Sequence, residues 1–366
     1  MSTLVIGGTG PTGPFVVNGL LERGHDVTIC HTGNHEVDEI PPSVEHVHTD
    51  PFDAEALTAA LGDRTFDLVV AMYGRLRSIA EIMVGRTGRL ITVGGFPALR
   101  GYMDPDRWHP PGLPVPTRED SPTATEDDDA KSHRVARTEQ VLFELHPGAT
   151  HFRYPYVYGP RQLVPREWPI VRRILDRRPV IVIPDGGLTL RTVGYVENLA
   201  HALLLGVDHP EAAAGQVFHA ADETSLTLGQ TVDVIAEILD HEWDVVSMPW
   251  ELAAPARPLV QQPRTTHRMV STDKLRHVLG YRDVVPVTEA LERSVRWLVD
   301  NPPEPGGDIE RRIEDPFDYA AEDRLVAWWR TVLDDAPLLD WARGEPGLTA
   351  GYRGRGTSNP PKPHRV

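Results

Sequence analysis

The chain opens with an apolar run, Leu4-Val5-Ile6, then glycines at Gly7, Gly10 and Gly13, then apolar pairs at Val16/Val17 and Leu20/Leu21 that recur four residues apart. A short apolar run reads as a strand and a four-residue recurrence as one face of a helix, so 2–21 is predicted to be strand, glycine turn, helix. The two signatures then alternate. Gly24 stops the helix and His25 to Cys30 is a second strand, which makes 3–30 one βαβ unit. Val44 to Thr49 is a third strand, followed by a helix with Ala54, Leu57, Ala60 and Leu61 on one side. Phe66 to Met72 (FDLVVAM) and Arg89 to Val93 (RLITV) are almost wholly apolar, as strands covered on both faces are.

Strands alternating with helices predict an α/β, Rossmann-type doubly wound parallel sheet whose ligand crevice lies at the carboxyl ends of its strands. That places Gly7 to Gly13, His31, Asp50, Ala71 to Tyr73 and Thr92 to Gly95 around one crevice. The pattern breaks at 101–129, which is rich in proline and ends in the acidic run Glu126-Asp127-Asp128-Asp129. So long a loop is either a substrate lid or a solvated excursion, and Trp108 and His109 within it are candidate contacts. The acidic run reads as the first turn of a helix from about 128 to 145, where carboxylates oppose the positive end of the dipole.

His151 to Val157 returns to the sheet, and Tyr158-Gly159-Pro160 turns the chain out of it. Beyond lie helical patterns at 167–177, 196–207, 228–239, 273–279 and 288–301, with strands at 180–183, 217–219 and 242–248. The predicted organisation is a dinucleotide-binding domain over 1–160, a smaller α/β substrate lobe over 161–301 with some return to the core, and a C-terminal extension over 302–366. In the extension a helix at about 320–333 carries Trp328 and Trp329, expected to pack on the core or on a second copy, and the Gly/Pro/basic tail is expected to be disordered or draped on the surface.

Composition narrows the function. With 366 residues, 40% hydrophobic and 25% charged, the chain reads as an ordinary globular protein. A net charge of −16 argues against nucleic-acid and anionic-membrane partners, which need a basic footprint. The single cysteine, Cys30, excludes an internal disulfide, and with no apolar leader a cytoplasmic location is expected. The 16 histidines show neither H-E-x-x-H nor a Cys/His cluster, so no metal site is expected.

The glycine turn carries the candidate chemistry. Gly7 permits the sharp bend, Gly10 lets backbone amides approach a pyrophosphate, Gly13 allows close helix–strand packing, and the helix N-terminus favours the phosphates. The residues closing the second strand, His31 and Thr32, are neither acidic nor basic, which leaves NAD and NADP both open. The spacing G-x-x-G-x-x-G, with HFRYPYVYGPRQ at 151–162 and RTVGYVENLAHALLLG at 191–206, resembles the extended short-chain dehydrogenase/reductases of the NAD-dependent epimerase/dehydratase type, over roughly 1–300.

The resemblance implies a cofactor site of Gly7, Thr9, Gly10, Pro11, Thr12, Gly13, His31, Thr32, Asp50, Pro51, Ala71 and Tyr73. Asp50 with Pro51 would flank the adenine, or Asp50 would cap the next helix. It also implies Tyr158 and Arg191 at the border of the substrate lobe, where Arg191 could clamp an anionic group, with Trp108 as a further contact.

The resemblance fails where the family keeps a Tyr and, four residues on, a Lys. Taking Glu139 as the glutamate that follows the Tyr by eight residues puts Lys131 and Val135 at those positions, and Val93-Gly94-Gly95 replaces the usual serines. Lys131 resembles the lysine base of the atypical isoflavone- and ether-reductase branch. It serves as a base if it is turned inward and desolvated, and is otherwise a solvated first-turn residue. His133, His109 and Tyr73 are the alternatives. The expected function is an NAD(P)-dependent oxidoreductase or epimerase-like enzyme, atypical in lacking the Tyr/Lys pair, for a small carbonyl or hydroxyl metabolite, with no nucleic acid or membrane partner and a homodimer open to it. The other reading is a catalytically silent NAD(P)-binding sensor or RNA-associated scaffold.

Overall fold

In the computed structural model, which describes residues 1–262 and 264–337, eleven strands follow one another along the chain. They are β1 (Ser2–Ile6), β2 (Asp26–His31), β3 (Glu45–His48), β4 (Phe66–Ala71), β5 (Thr87–Gly95), β6 (Thr150–Tyr154), β7 (Tyr156–Tyr158), β8 (Val180–Pro184), β9 (Val193–Tyr195), β10 (Gln216–His219) and β11 (Asp244–Met248). Seven form one sheet in the order β10-β6-β5-β4-β1-β2-β3, every pair parallel. Parallel neighbours need crossovers, and these are made in part by α1 (Gly13–Glu22), α2 (Ala54–Leu61), α3 (Leu76–Met83), α4 (Ala130–Leu145), α5 (Trp168–Leu175) and α6 (Val196–Asp208).

The apolar strands are divided between two layers by the period-2 alternation of their side chains. Val5, Ile29, Leu68, Val70 and Ile91 pack with Val16, Val17 and Leu20 of α1 and Leu199 and Leu203 of α6. Their sequence neighbours Leu4, Ile6, Cys30, Val69, Ala71 and Leu90 face the other way, onto Leu57 and Leu61 of α2, Ile79 and Met83 of α3 and Leu142 of α4. Cys30 is sealed in that second layer, where burial pushes its thiol up to about 11. It is an inert core residue.

Outside the main sheet, β8 pairs with β11 and β7 with β9, and β10 returns to the sheet edge beside β6. Residues 1–322 form one unit and 323–366 another. The expected late helix is present as Tyr319–Asp334 and holds Trp328 and Trp329 with ring centroids 6.1 Å apart. The tail expected to be disordered lies outside the described residues. Among the described residues no helix is long and apolar enough to cross a membrane.

Three local expectations need correction. The helix α3 was not anticipated from the sequence, although Ile79, Ala80 and Met83 give it a buried face. The acidic run precedes α4 instead of forming its first turn: Asp129 is the N-cap, accepting the Ser132 amide at 2.9 Å, while Asp128 accepts the Thr125 amide at 2.8 Å and faces Arg100 at 3.4 Å. The 101–129 loop is docked on the protein and is not a solvated excursion. Thr117 donates to the Met269 carbonyl and accepts from the Ser271 amide, both at 2.8 Å, Asp106 pairs with Arg264 at 2.7 Å, and Glu119 accepts the His219 amide at 3.1 Å.

Candidate functional site

Strands β1 and β4 are neighbours from which the chain winds outward in both directions, so a crevice opens at their carboxyl ends. The glycine turn after β1 lies there, and its three glycines have different tasks. Gly7, at φ +94°, donates its amide to the Cys30 carbonyl at 2.9 Å, and a Cβ on it would stand 2.4 Å from Tyr73 Cβ. On Gly13 a Cβ would lie 2.0 Å from the Gly8 carbonyl oxygen. These two glycines are demanded by packing. A Cβ on Gly10 would meet only the Gly7 oxygen, at 3.7 Å, so this position faces open space.

Thr12 stands at the N-cap of α1 without a side-chain capping bond, and Pro14 follows in the first turn. The Gly13 amide is taken by the Gly10 carbonyl at 2.9 Å and Pro14 has none, so what this turn offers a ligand is the positive end of the helix. Thr9 and Pro11 are half-buried along the same turn.

Toward the end of β2, Thr32 is exposed and His31 is buried. Asp50 spends a carboxylate oxygen on the Phe52 amide at 2.9 Å, and the cap of α2 is Asp53, which accepts the Glu55 and Ala56 amides at 3.0 and 3.1 Å. Asp50 is therefore not the helix cap. Pro51 is buried against Gly74, Ala71 closes β4 in the core, and the exposed rings of Phe52 and Tyr73 meet edge to face at 4.9 Å.

The expectation of no metal-type cluster is corrected on this same side of the crevice. His31, His46 and His48 converge with Glu36, their ligand atoms all within 4.8 Å of one another. The spacing hid the group because its members come from β2, the connection after it, and β3.

At the other end of the crevice, the inward-turned lysine that base chemistry requires is not formed. Lys131 is exposed on the first turn of α4, and it is its neighbour Ser132 that points in and is buried. His133 is half-buried and His109 is exposed, while Trp108 donates its indole N–H to the Arg100 carbonyl at 2.8 Å. Glu139 is buried in a bidentate pair with Arg153, at 2.9 and 2.8 Å, with His151 Nε2 at 3.4 Å. It fastens α4 to β6. Tyr158, expected at the substrate border, is buried and donates to Asp222 at 2.8 Å, and Asp222 also accepts from the Tyr195 amide and Asn198 at 2.9 Å. Its hydroxyl is pushed well up by burial and by Asp222, and it braces the lobe from within.

Arg191 has company that the sequence did not reveal. It forms a two-residue parallel bridge with Arg268, and Arg166 lies beside it with its guanidinium carbon 3.0 Å over the Tyr156 ring. Arg268 stands 5.0 Å over the ring of Tyr102, which packs at 5.8 Å on Phe96, the residue following β5. Burial lowers all three guanidiniums, and with Arg191 as a second cause brings Arg166 to about 10, while Arg166 Nε is buried without a partner. Among the described residues no carboxylate forms an ion pair with any of the three. Burial raises the Tyr102 hydroxyl, and the three arginines pull it back. Positions 102, 156, 166, 191 and 268 are scattered in the chain, and only 156 and 191 lie in the stretches that carry the family resemblance.

A parallel sheet of this order, with a glycine turn at its switch point, is a Rossmann fold, so the resemblance drawn from the motifs holds at the level of the fold. No family model matches the chain. It is 28% identical over 170 residues to an uncharacterised protein, y4nL, of Sinorhizobium fredii, a match spanning 41% of this chain and about half, 47%, of that one. To the chloroplast stem-loop binding protein of 41 kDa b of Arabidopsis thaliana it is 25% identical over 315 residues, 80% of this chain and 77% of that one. Among solved structures, the UDP-glucose 4-epimerase of Thermotoga maritima superposes with a TM-score of 0.63 at 18% identity, covering 82% of this chain and 99% of that one.

Proposed function

We propose that the chain is an NAD(P)-dependent oxidoreductase or epimerase-type enzyme acting on a small carbonyl or hydroxyl metabolite that carries an anionic group. The open position at Gly10 and the uncapped start of α1 fit a pyrophosphate, and several structures of this fold were solved with NAD bound. The nicotinamide of such a cofactor accepts or donates the hydride. The residues of the chain do the rest. Arg166, Arg191 and Arg268 hold the anion, because none of them is in ion-pair contact with a carboxylate of the described residues, Glu167 acts on Arg191 only from a distance, and Arg191 repels Arg166. Tyr102 exchanges a proton with the substrate oxygen. Burial holds its hydroxyl above the ordinary tyrosine value and its three cationic neighbours offset only part of that rise, so it serves as the protonated donor.

The observation that carries this reading is the unpaired arginine cluster. It is tested by titrating NADH and NADPH, followed by fluorescence, and then adding anionic keto compounds. Retained cofactor, bleached by such a compound in wild type and not in Arg191→Ala, is the expected result. RNA retained on a filter at moderate salt with no dinucleotide bound would overturn it in favour of a scaffold, a role that the net charge of −16 opposes.

A further inference from the structure

We propose that His31, His46, His48 and Glu36 form a binding site for a divalent transition cation of the zinc type, placed where β2 and β3 end beside the adenosine side of the crevice. The geometry is that of a ligand set around one centre. His31 Nε2 and His46 Nδ1 are 3.1 Å apart, Glu36 lies 3.1 Å from both His46 Nδ1 and His48 Nε2, and it lies 3.7 Å from His31 Nε2. Ligands at about 2.0–2.1 Å from a tetrahedral zinc are separated by roughly 3.4 Å, close to these values, and the widest separation in the group, 4.8 Å, closes by a small movement of the exposed ligands. Three imidazoles with one carboxylate suit zinc and its neighbours, whereas magnesium and calcium select oxygen ligands.

The parallel register builds the group. Pairing sets His31 opposite His48, and the two-residue repeat of β3 sends His46 and His48 to the same side. Residues 32–44 then bring Glu36 back over them. The three rings stand nearly perpendicular, with centroids 4.8 to 6.0 Å apart.

Hydrogen bonds alone do not satisfy the cluster. The His31 Nδ1 accepts the Gly33 amide at 3.2 Å, so the proton of a neutral His31 is on Nε2, facing His46 Nδ1. That same His46 nitrogen also faces a Glu36 oxygen, and one ring nitrogen cannot accept from His31 and donate to Glu36 at once. A cation at the centre takes the place of these competing protons. Ligation through His31 Nε2 moves its remaining proton to Nδ1, and the Gly33 amide then turns away. Gly33 has that freedom, being exposed and at φ +76°.

The site does not depend on the hydride chemistry proposed above, and its test is separate. The untagged full chain, stripped with EDTA and dialysed, is titrated calorimetrically with zinc chloride and, in parallel, with cobalt(II), followed by visible absorption. One equivalent of zinc bound with a sub-micromolar Kd and an intense tetrahedral cobalt band are expected. Affinity should fall about 100-fold or more in His46→Ala and at least about 10-fold in Glu36→Gln, and remain unchanged in His35→Ala, the exposed neighbouring histidine that takes no part. Zinc should also raise the Tm of wild type and not that of His46→Ala. If His46→Ala melts early even in EDTA, His48→Ala, whose ring is half exposed, replaces it with the same loss expected. Absent or weak binding, or equal affinity in the ligand variants, overturns the proposal.

Discussion

A missing Cβ means different things at three points of one turn. At Gly13 the space is filled by the Gly8 carbonyl, so Gly13→Val should destabilise the protein by about 3 kcal/mol or more and show reduced Tm and poor yield. At Gly10 the space is open, so Gly10→Val should fold with nearly the parental Tm while calorimetry finds NADH binding weakened on the order of 100-fold. A fold lost at Gly10, or cofactor affinity kept there, would break the assignment of the crevice. Sequence spacing already separated the three, with Gly7 for the bend, Gly10 for the pyrophosphate and Gly13 for packing. What it did not show was the atoms that Gly7 and Gly13 meet, Tyr73 and Gly8, because these are specified only by the folded turn. The same holds for the proposed proton-transfer group. Register from Glu139 pointed to Lys131, yet the side chain is exposed, whereas Tyr102 comes from a loop with no periodic signal and lies among three arginines. Tyr102→Phe should cost about 100-fold in kcat with cofactor affinity unchanged, and Lys131→Met should stay within a few-fold of wild type, as read by steady-state kinetics once a substrate is in hand.

Elements were legible where pattern and period coincide. The strands of the main sheet and the glycine helix follow from apolar runs and four-residue recurrences, because both faces of the sheet are buried and leave little choice of residue. The start of α4 lies at Ala130, two residues past the expected 128, since a run of four acidic residues fits a first turn and a cap almost equally well, and only the hydrogen bond of Asp129 to Ser132 decides. What holds α4 to the sheet was invisible in the sequence. Burial by itself would raise the Glu139 carboxyl, but hydrogen bonds and charge from His151 and Arg153 outweigh it and hold it at about 2, against an ordinary 4.5. A carboxylate depressed in the folded state stabilises the fold above its unfolded pKa, and that contribution fades as pH falls through the interval between the two values. Glu139→Gln should therefore lose up to about 3 kcal/mol at pH 7, and its deficit against wild type should shrink as the pH falls from about 4.5 toward 2. Urea titrations at a series of pH values read it directly, and a deficit constant with pH would assign Glu139 a packing role only.

At the scale of the molecule, residues 306–322 supply the carboxylates that pair with Arg172 and Arg173 of α5. Arg173 on α5 is 2% exposed and is held by Asp315 at 2.7 Å, by Glu322, and by the Pro169 carbonyl at 3.0 Å. Next to it, Glu310 accepts from the Trp168 indole at 2.9 Å and pairs with Arg172. Burial would lower the Arg173 guanidinium, but Asp315 and Glu322 outweigh it and raise its pKa, so the cation is fixed at every accessible pH. A buried cation is costly when left alone and nearly neutral when replaced together with its partners. Asp315→Ala should accordingly lose about 3–5 kcal/mol in urea unfolding, because it removes one of the two carboxylates that neutralise a buried guanidinium. The triple variant Arg173→Met, Asp315→Leu, Glu322→Leu should recover most of that loss, since it removes the charge along with both counter-charges. A single variant as stable as wild type would mean that Glu322 alone neutralises Arg173. A triple variant worse than Asp315→Ala would mean that the ion pairs specify the path of this segment, beyond compensating for the burial of one arginine.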